Sequence, residues 1–567
     1  MLNRLLFLVI IFSSILFSIS QESIDIVNSV SDINLTSNEN QFYIQTNNIG
    51  DPFLPLKPVF NGIDLSLVHY SQKHRSVLYT TQPHQIQSDS IYSHIVYKSA
   101  YSGGILNTFL TRPVGKFMKL DFSYNHLNSD GFYANQENKY SSLYFKLKYF
   151  NSNNPYYFDF YFSSNNVDSY NNGGVIYDSL LGLDLMNTYL NDSQTVIKNR
   201  IFNFQQSYDI NLNLTLKHTF LFNIFNRDYT DTQPLSFYYS LTPLDYLITS
   251  DYKHGTFYSR IHNSFCLYNK KIKLEFNHNY YNSDNISSIG AETIDNVGDF
   301  DILLANTWYF KDQKNIDFKI NFCPLGYNKN NYIVDFNFYK NTPNIHHIFN
   351  FSISSKKPDF FTRHYDTSYN FDWKSFLSIK RTSGMWTSNL SKIKLIFSAS
   401  INHYRNYLYF NYLVSPVQSN DDILYFNLSF TKKWILNNFS FKTDVLLQNS
   451  NNDIISVPSV FFKQLVQYNY ALSDDIRLLS SFDFHMFSKY YINSYFPLTD
   501  LFYLQLEDKN GLIPFVNLDV SINRDNFSIG CIFSNLTTFF YEGESLISGY
   551  PFAPPTLQLL IKWQFLN

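Results

Sequence analysis

The chain has 567 residues, 44% of them hydrophobic, 16% charged and 19% aromatic, with a formal net charge of −3. The apolar content excludes wholesale disorder, and the charge content lies well below the quarter usual in soluble globular proteins. Near-neutrality with no basic block leaves nucleic-acid binding without an electrostatic footprint, and three scattered cysteines exclude a disulfide framework or a thiolate zinc site.

Residues 1–20 read as a secretory signal peptide. Arg4 supplies the positive start, Leu5 to Phe17 the apolar core, and Ser18 and Ser20 the small residues of a cleavage site before Gln21. No later stretch is apolar for long enough to form a transmembrane helix. A membrane protein of this sequence must therefore cross as a closed barrel, the other architecture that satisfies every backbone polar group in lipid. Residues 21–60 lack clear alternation and read as a periplasmic N-terminal segment or an inserted plug.

From residue 61 onward the chain reads as strands of period two. Ile272, Leu274 and Phe276 alternate with Lys273, Glu275 and Asn277, and Ile316, Phe318, Ile320 and Phe322 with Asp317, Lys319 and Asn321. Tyr332, Val334, Phe336 and Phe338 lead through Asn341-Thr342-Pro343-Asn344, strong turn chemistry, into His347, Phe349, Phe351 and Ile353. Later faces include Leu395 to Ile401, Leu424 to Phe430, Leu478 to Met486 and Val516 to Ile522. These segments match the roughly 9 to 11 residues needed to cross a bilayer at a tilt, and roughly 16 to 18 crossings are expected. The fold class is all-β: a transmembrane antiparallel β-barrel over residues 61–567 with long outer loops. Residues 165–198, 226–255 and 282–298 read as such loops, the first partly helical around Leu180 to Leu190.

The polar alternate face fixes which side is which. A Lys on the lipid face near midplane costs roughly 2 to 4 kcal/mol, so Lys273, Glu275, Asp317, Lys319 and Asp335 belong to the lumen. The last strand puts Leu557, Leu559, Ile561, Trp563 and Phe565 on one face and Gln558, Leu560, Lys562 and Gln564 on the other. An amphipathic strand ending in aromatics suits the closing strand of an outer-membrane barrel and the signal read by its insertion machinery. The many Tyr and Phe suit girdles at the two membrane interfaces.

No catalytic constellation stands out: GxSxG, HExxH and P-loop motifs are absent, as is a GxGxxG entering a helix. His346 and His347 are adjacent on a strand and point to opposite faces, so they cannot chelate one metal together. No catalytic, cofactor-binding or metal-ligating residue is expected, and no cofactor.

Several local motifs carry a family resemblance. They are Asn48-Ile49-Gly50-Asp51-Pro52, Tyr79-Thr80-Thr81-Gln82-Pro83, Ser129-Asp130-Gly131-Phe132-Tyr133 and Asn172-Gly173-Gly174-Val175, with Gly549-Tyr550-Pro551-Phe552 leading to Trp563-Gln564-Phe565 at the end. In this order they resemble the putative β-barrel porin family of Bacteroidetes outer membranes. The resemblance implies an outer-membrane, porin-like barrel and no catalytic residues.

The sequence therefore leads to an outer-membrane porin passing small solutes by passive diffusion through a polar lumen. Alternatives are a substrate-selective channel, favoured if residues 21–60 form a plug, and a structural or partner-binding surface barrel with a closed lumen. A large energised receptor is disfavoured, because the chain is short for 22 strands plus a plug. Expected partners are the lipid bilayer, the insertion machinery through the C-terminal strand, and small solutes. A homo-oligomer is compatible with this reading.

Overall fold

A computed structural model describes residues 43–46, 48–57, 75, 91–100, 102–151, 153–178, 185–211, 213–233, 238, 252–287, 290–311, 313–363, 376–541 and 543–566. The signal peptide expected at residues 1–20 and the Tyr79–Pro83 motif fall outside these residues.

Twenty-two antiparallel strands close into one barrel. The first described barrel strand, Tyr92–Ala100, pairs with its neighbour Gly103–Val114 and with the last strand, Thr556–Leu566. That last strand also pairs with Phe527–Ser534, so it is the closing strand the sequence indicates. Trp563 lies opposite Ile95 on one side and Phe527 on the other. The expected hairpin around residues 341–344 also forms, with Thr342 opposite Ile345.

The all-β barrel agrees with the sequence reading, but 22 strands exceed the expected 16 to 18. Strand lengths explain the shortfall. They range from 8 residues in Phe527–Ser534 to 21 in Gly290–Phe310, and several exceed what a bilayer requires. Beyond the lipid the outer face need not be apolar, so alternation fades while the hydrogen-bond ladder continues. Residues 282–298 accordingly belong almost wholly to two strands, Ile272–Ser287 and Gly290–Phe310, and not to a loop. The flanks of the other two expected loops are strand as well, Tyr156–Tyr170 with Ser193–Asn211 and Leu214–Asp231 with Tyr252–Tyr268. Of the helix expected around Leu180 to Leu190, residues 180–184 lie outside the described residues; the described remainder, 185–190, forms no α-helix, and Thr188 within it bridges Val175 in extended backbone.

The two barrel ends differ. At one end the hairpins are tight, as at residues 115–117, 343–344, 437–438 and 525–526, and Tyr92 and Leu566 pair there. At the other end lie the long connections 406–422 and 488–514 and the described parts of 171–192, 232–251, 357–378 and 535–555. Outer-membrane barrels share this asymmetry, with short periplasmic turns and long external loops.

The outer wall is apolar: Phe276, Phe322, Phe336 and Phe351 are exposed there. Aromatic pairs gather at the tight-turn end. Phe439 meets Tyr468 at 4.7 Å between ring centroids, Trp563 meets Phe565 at 4.8 Å, and Tyr149 stacks on Phe158 at 5.6 Å. These rings suit an interfacial girdle, where an apolar body and a polar edge are both satisfied. The inner wall is polar. Ser163, Asn165, Asn199, Asn277 and Asn279 are buried along it, and Lys319 faces Asp335 across two strands, as the lumen assignment requires. Charges on this wall pair locally: Lys146 with Asp159 at 3.5 Å, Lys463 with Asp483 at 3.1 Å and Lys273 with Glu275 at 2.5 Å.

Candidate functional site at the loop end of the lumen

At the loop end, chain segments fill the space that the barrel encloses. The first is residues 43–57, which begins as a small hairpin of Tyr43–Gln45 against Phe53–Pro55. Between its arms runs Asn48-Ile49-Gly50-Asp51-Pro52, a sequence of turn formers. The Asp51 amide donates to the Asn48 carbonyl at 3.2 Å, and the Asp51 carboxylate accepts from the Asn48 amide at 3.0 Å and the Thr46 hydroxyl at 2.9 Å. Gly50 sits at φ +95°, a left-handed conformation, with its missing Cβ position 3.3 Å from Leu127 on the wall.

This turn is stitched to the wall. The Asn48 side chain donates to the carbonyls of Gln136 (2.5 Å) and Ser129 (3.2 Å) and accepts from the Ser129 hydroxyl at 2.7 Å. Asn138 donates to Asp51 at 2.5 Å and accepts from the Ser169 hydroxyl, also at 2.5 Å. The far end of the segment reaches the opposite wall: Gln448 donates to the Leu56 carbonyl at 2.9 Å. Ile44 and Leu56 pack there with Leu446, Phe461, Phe487 and Phe515. A single short segment therefore lies across the lumen. Burial pushes the Asp51 carboxyl up to about 6, against the lowering pull of Asn138, the Asn48 amide and Arg75.

The second element is the inward loop 488–514. Its tip is a turn, with the Asp500 amide donating to the Pro497 carbonyl at 3.2 Å, and Leu498, Thr499 and Asp500 are fully buried. Two arginines hold it. Arg75 Nε lies 3.4 Å from Asp500 Oδ2, both side chains being 0% exposed, while its Nη1 donates to the Gly50 carbonyl at 3.2 Å. Arg227, on the strand Leu214–Asp231, donates from Nη2 to the Pro497 carbonyl at 2.7 Å. Tyr495 donates its hydroxyl to Asp500; burial and that carboxylate hold the phenol well above its ordinary range, so it remains a donor.

Other loops converge on the tip. Leu501 packs with Phe361 and with Leu127, Tyr140, Phe225 and Tyr258 of the wall. Phe496 stacks on Tyr238, with centroids 5.8 Å apart, and joins Leu190, Tyr229 and Val414 in one cluster. The Gly549 carbonyl accepts from the Val175 amide at 2.8 Å, and the Phe552 carbonyl from the Tyr133 hydroxyl at 3.1 Å. Gly174, at φ +104°, lets these backbones approach: a Cβ there would lie 2.8 Å from the Gly549 oxygen.

Four of the five motifs singled out in the sequence thus meet at one place. Asn48–Pro52 seats on Ser129–Tyr133, and Asn172–Val175 seats on Gly549–Phe552. Sequence reasoning missed the loop tip and both arginines. A signal existed in Tyr495, Phe496, Leu498, Leu501 and Phe502, apolar residues between strands without the alternation of a crossing. The adjacent His346 and His347 stand opposite Asn341 and Lys340 in the register, with His346 Nδ1 3.3 Å from the Asn341 side chain. Cys266, Cys323 and Cys531 are free thiols.

Solved structures share this architecture. The copper transporter OprC aligns over 93% of this chain and 94% of its own, with a TM-score of 0.66 and 8% identity. The siderophore receptor PirA from Acinetobacter baumannii aligns over 85% and 81%, at 0.59 and 8%. The FrpB iron transporter from Neisseria meningitidis aligns over 84% and 83%, at 0.59 and 8%. At such identities the likeness is one of fold alone. No curated protein matches the chain in sequence. The motifs that converge on the lumen seat are those that carry the family resemblance, and residues 23–567 match the family described as "Putative porin": the chain belongs to that family of outer-membrane barrels.

Proposed function

We propose that the protein is a substrate-selective channel of the bacterial outer membrane, closed at its outer end by a displaceable seat and carrying no enzymatic activity. The observation behind this reading is the lateral segment 43–57, hydrogen-bonded to Ser129 and Asn138 on one wall and to Gln448 on the other, with the loop tip 497–500 locked beside it. A wall of 22 strands is wide enough to need such a filling, as in plugged outer-membrane transporters. The short filling segment explains how a chain of this length accommodates so many strands. The copper, siderophore and iron transport named for the structural neighbours belongs to the same broad class of task.

Passive diffusion of small solutes is the second reading. The charge-paired, Asn- and Ser-rich inner wall favours it, because such a wall is hydrated without selecting strongly for either ion sign. Planar-bilayer recording separates the two. The selective-channel reading expects rare or small conductance steps from the intact protein and large, long-lived steps once residues 43–57 are deleted. Large constitutive steps from the intact protein would refute it and support the passive porin. Export through residues 1–20 and insertion through the Thr556–Leu566 strand complete the proposal.

A further inference from the structure

Arg75 and Arg227 are both fully buried, but they are not equally neutralised. Arg75 has the Asp500 carboxylate. Arg227 makes no ion pair among the described residues: Nη2 donates to the Pro497 carbonyl, and Nε and Nη1 have no hydrogen-bond partner. The Tyr229 ring lies 5.7 Å from the guanidinium carbon, a weak compensation for a whole charge. Guanidinium does not lose its proton in proteins, and an ionised group held away from water needs an opposite charge.

The neighbouring strand supplies a third free donor. Thr256 is the register partner of Arg227, so the two side chains stand side by side on the inner wall. Thr256 is 0% exposed and its hydroxyl is also without a partner. Asp231 lies further along the same strand and accepts from the Gln233 amide at 3.0 Å. Asn226 and Asp228 bond each other at the exposed outer face.

We propose that Arg227 Nε and Nη1 and the Thr256 hydroxyl form a buried site for a small anion of the halide class. Such an ion accepts all three donors at once, as no neutral acceptor does, and neutralises the guanidinium. Arg227, Thr256 and Pro497 are all covered, which selects a monoatomic ion over a carboxylate carried on a larger solute. The ion also fixes the guanidinium that holds the loop tip, so halide binding and tip closure are linked by mass action.

The test uses the full-length protein in detergent, with thermal unfolding followed in bromide against gluconate at matched ionic strength. The wild type should gain about 1–2 °C for each tenfold rise in bromide above half-saturation. Arg227→Met and Thr256→Val should flatten that slope, and Thr256→Val serves if the arginine variant fails to fold. Crystals grown in bromide should show an anomalous peak between Arg227 and Thr256. A flat wild-type response, or an equal slope in Thr256→Val, would overturn the site. Greater stabilisation by formate than by bromide would overturn the monoatomic class. Since none of these readouts involves conductance, the site stands or falls separately from the proposed channel.

Discussion

Replacing Arg75 by methionine should release the tip of loop 488–514. The Arg75–Asp500 pair is a single contact of 3.4 Å between side chains that are both 0% exposed. With an effective dielectric of about 20, that separation corresponds to an attraction of about 5 kcal/mol. Removing one partner of a buried pair costs about 3–5 kcal/mol, because the survivor stays charged and buried. The contact is not a bidentate fork, so the lower figure applies, and about 3 kcal/mol is about a hundredfold in the closed-to-open ratio. The assay is labelling of Leu498→Cys by a water-soluble maleimide, in a background where Cys266, Cys323 and Cys531 are replaced. Leu498 is 1% exposed, so labelling in the parent reports only the open population. Arg75→Met and Asp500→Asn should each raise the rate about a hundredfold. Arg75→Met with Asp500→Leu should raise it less than either alone, since no uncompensated charge remains. Unchanged labelling in Arg75→Met, or additive effects in the double variant, would refute the idea that this pair holds the loop closed.

Three further outcomes are expected. The folded-state value of the Asp51 carboxyl is raised from 3.8 to about 6, so the seat prefers the neutral acid. Its contribution is fully present below about pH 4 and lost as pH rises through 6, by about 3 kcal/mol at most. Protection of the Asn48–Asp51 amides should therefore fall between pH 5 and pH 7, and in Asp51→Asn it should not. Gly174→Ala, at φ +104° and 2.8 Å from the Gly549 oxygen, should break the Val175–Gly549 bond at a cost of about 1–3 kcal/mol; exchange at the Val175 amide would rise at least tenfold, and unchanged exchange would count against the close approach. Phe351→Lys on the outer wall should cost about 2–4 kcal/mol near midplane, whereas Asn350→Lys on the inner face should cost far less. The temperature at which the folded band is lost in SDS electrophoresis measures the difference.

The barrel was legible because lipid imposes a rule on every crossing. Phe276, Phe322 and Phe336 must face out, and Lys319 and Asp335 must face in, so alternation records the wall directly. The closing strand was legible for the same reason, with Trp563 and Phe565 fixed at an interface. The strand count was not. Where Ser193–Asn211 and Gly290–Phe310 rise beyond the bilayer, no solvent contrast remains to force the pattern, and Asn-rich strand reads as loop. The seat was half legible. Its glycines and asparagines were visible as motifs, because a turn at φ +95° narrows the choice of residue. Their joining was not visible, since Asn48 with Ser129, Arg75 with Asp500 and Tyr133 with Phe552 are contacts across long separations. Arg227 gave no signal at all: on an alternating strand, a lone inward cation looks the same whether it meets water or a loop tip.

The stitches of the seat also set an order of events during assembly. Residues 43–57 are made early, yet the partners of Asn48 and Asp51 on one wall lie near residues 129–138 and the partner of Leu56 on the other is Gln448. The lateral segment therefore has no opposite wall to grip until most strands exist. Long loops closed late contribute slowly, because the chain entropy is spent before the contacts form. The wall must either zip shut around a strip already lying inside it or admit that strip as the last piece to dock. Either way, the final rigid state is reached only after Thr556–Leu566 has met Tyr92–Ala100. Only the second order passes through a barrel that is closed but unseated.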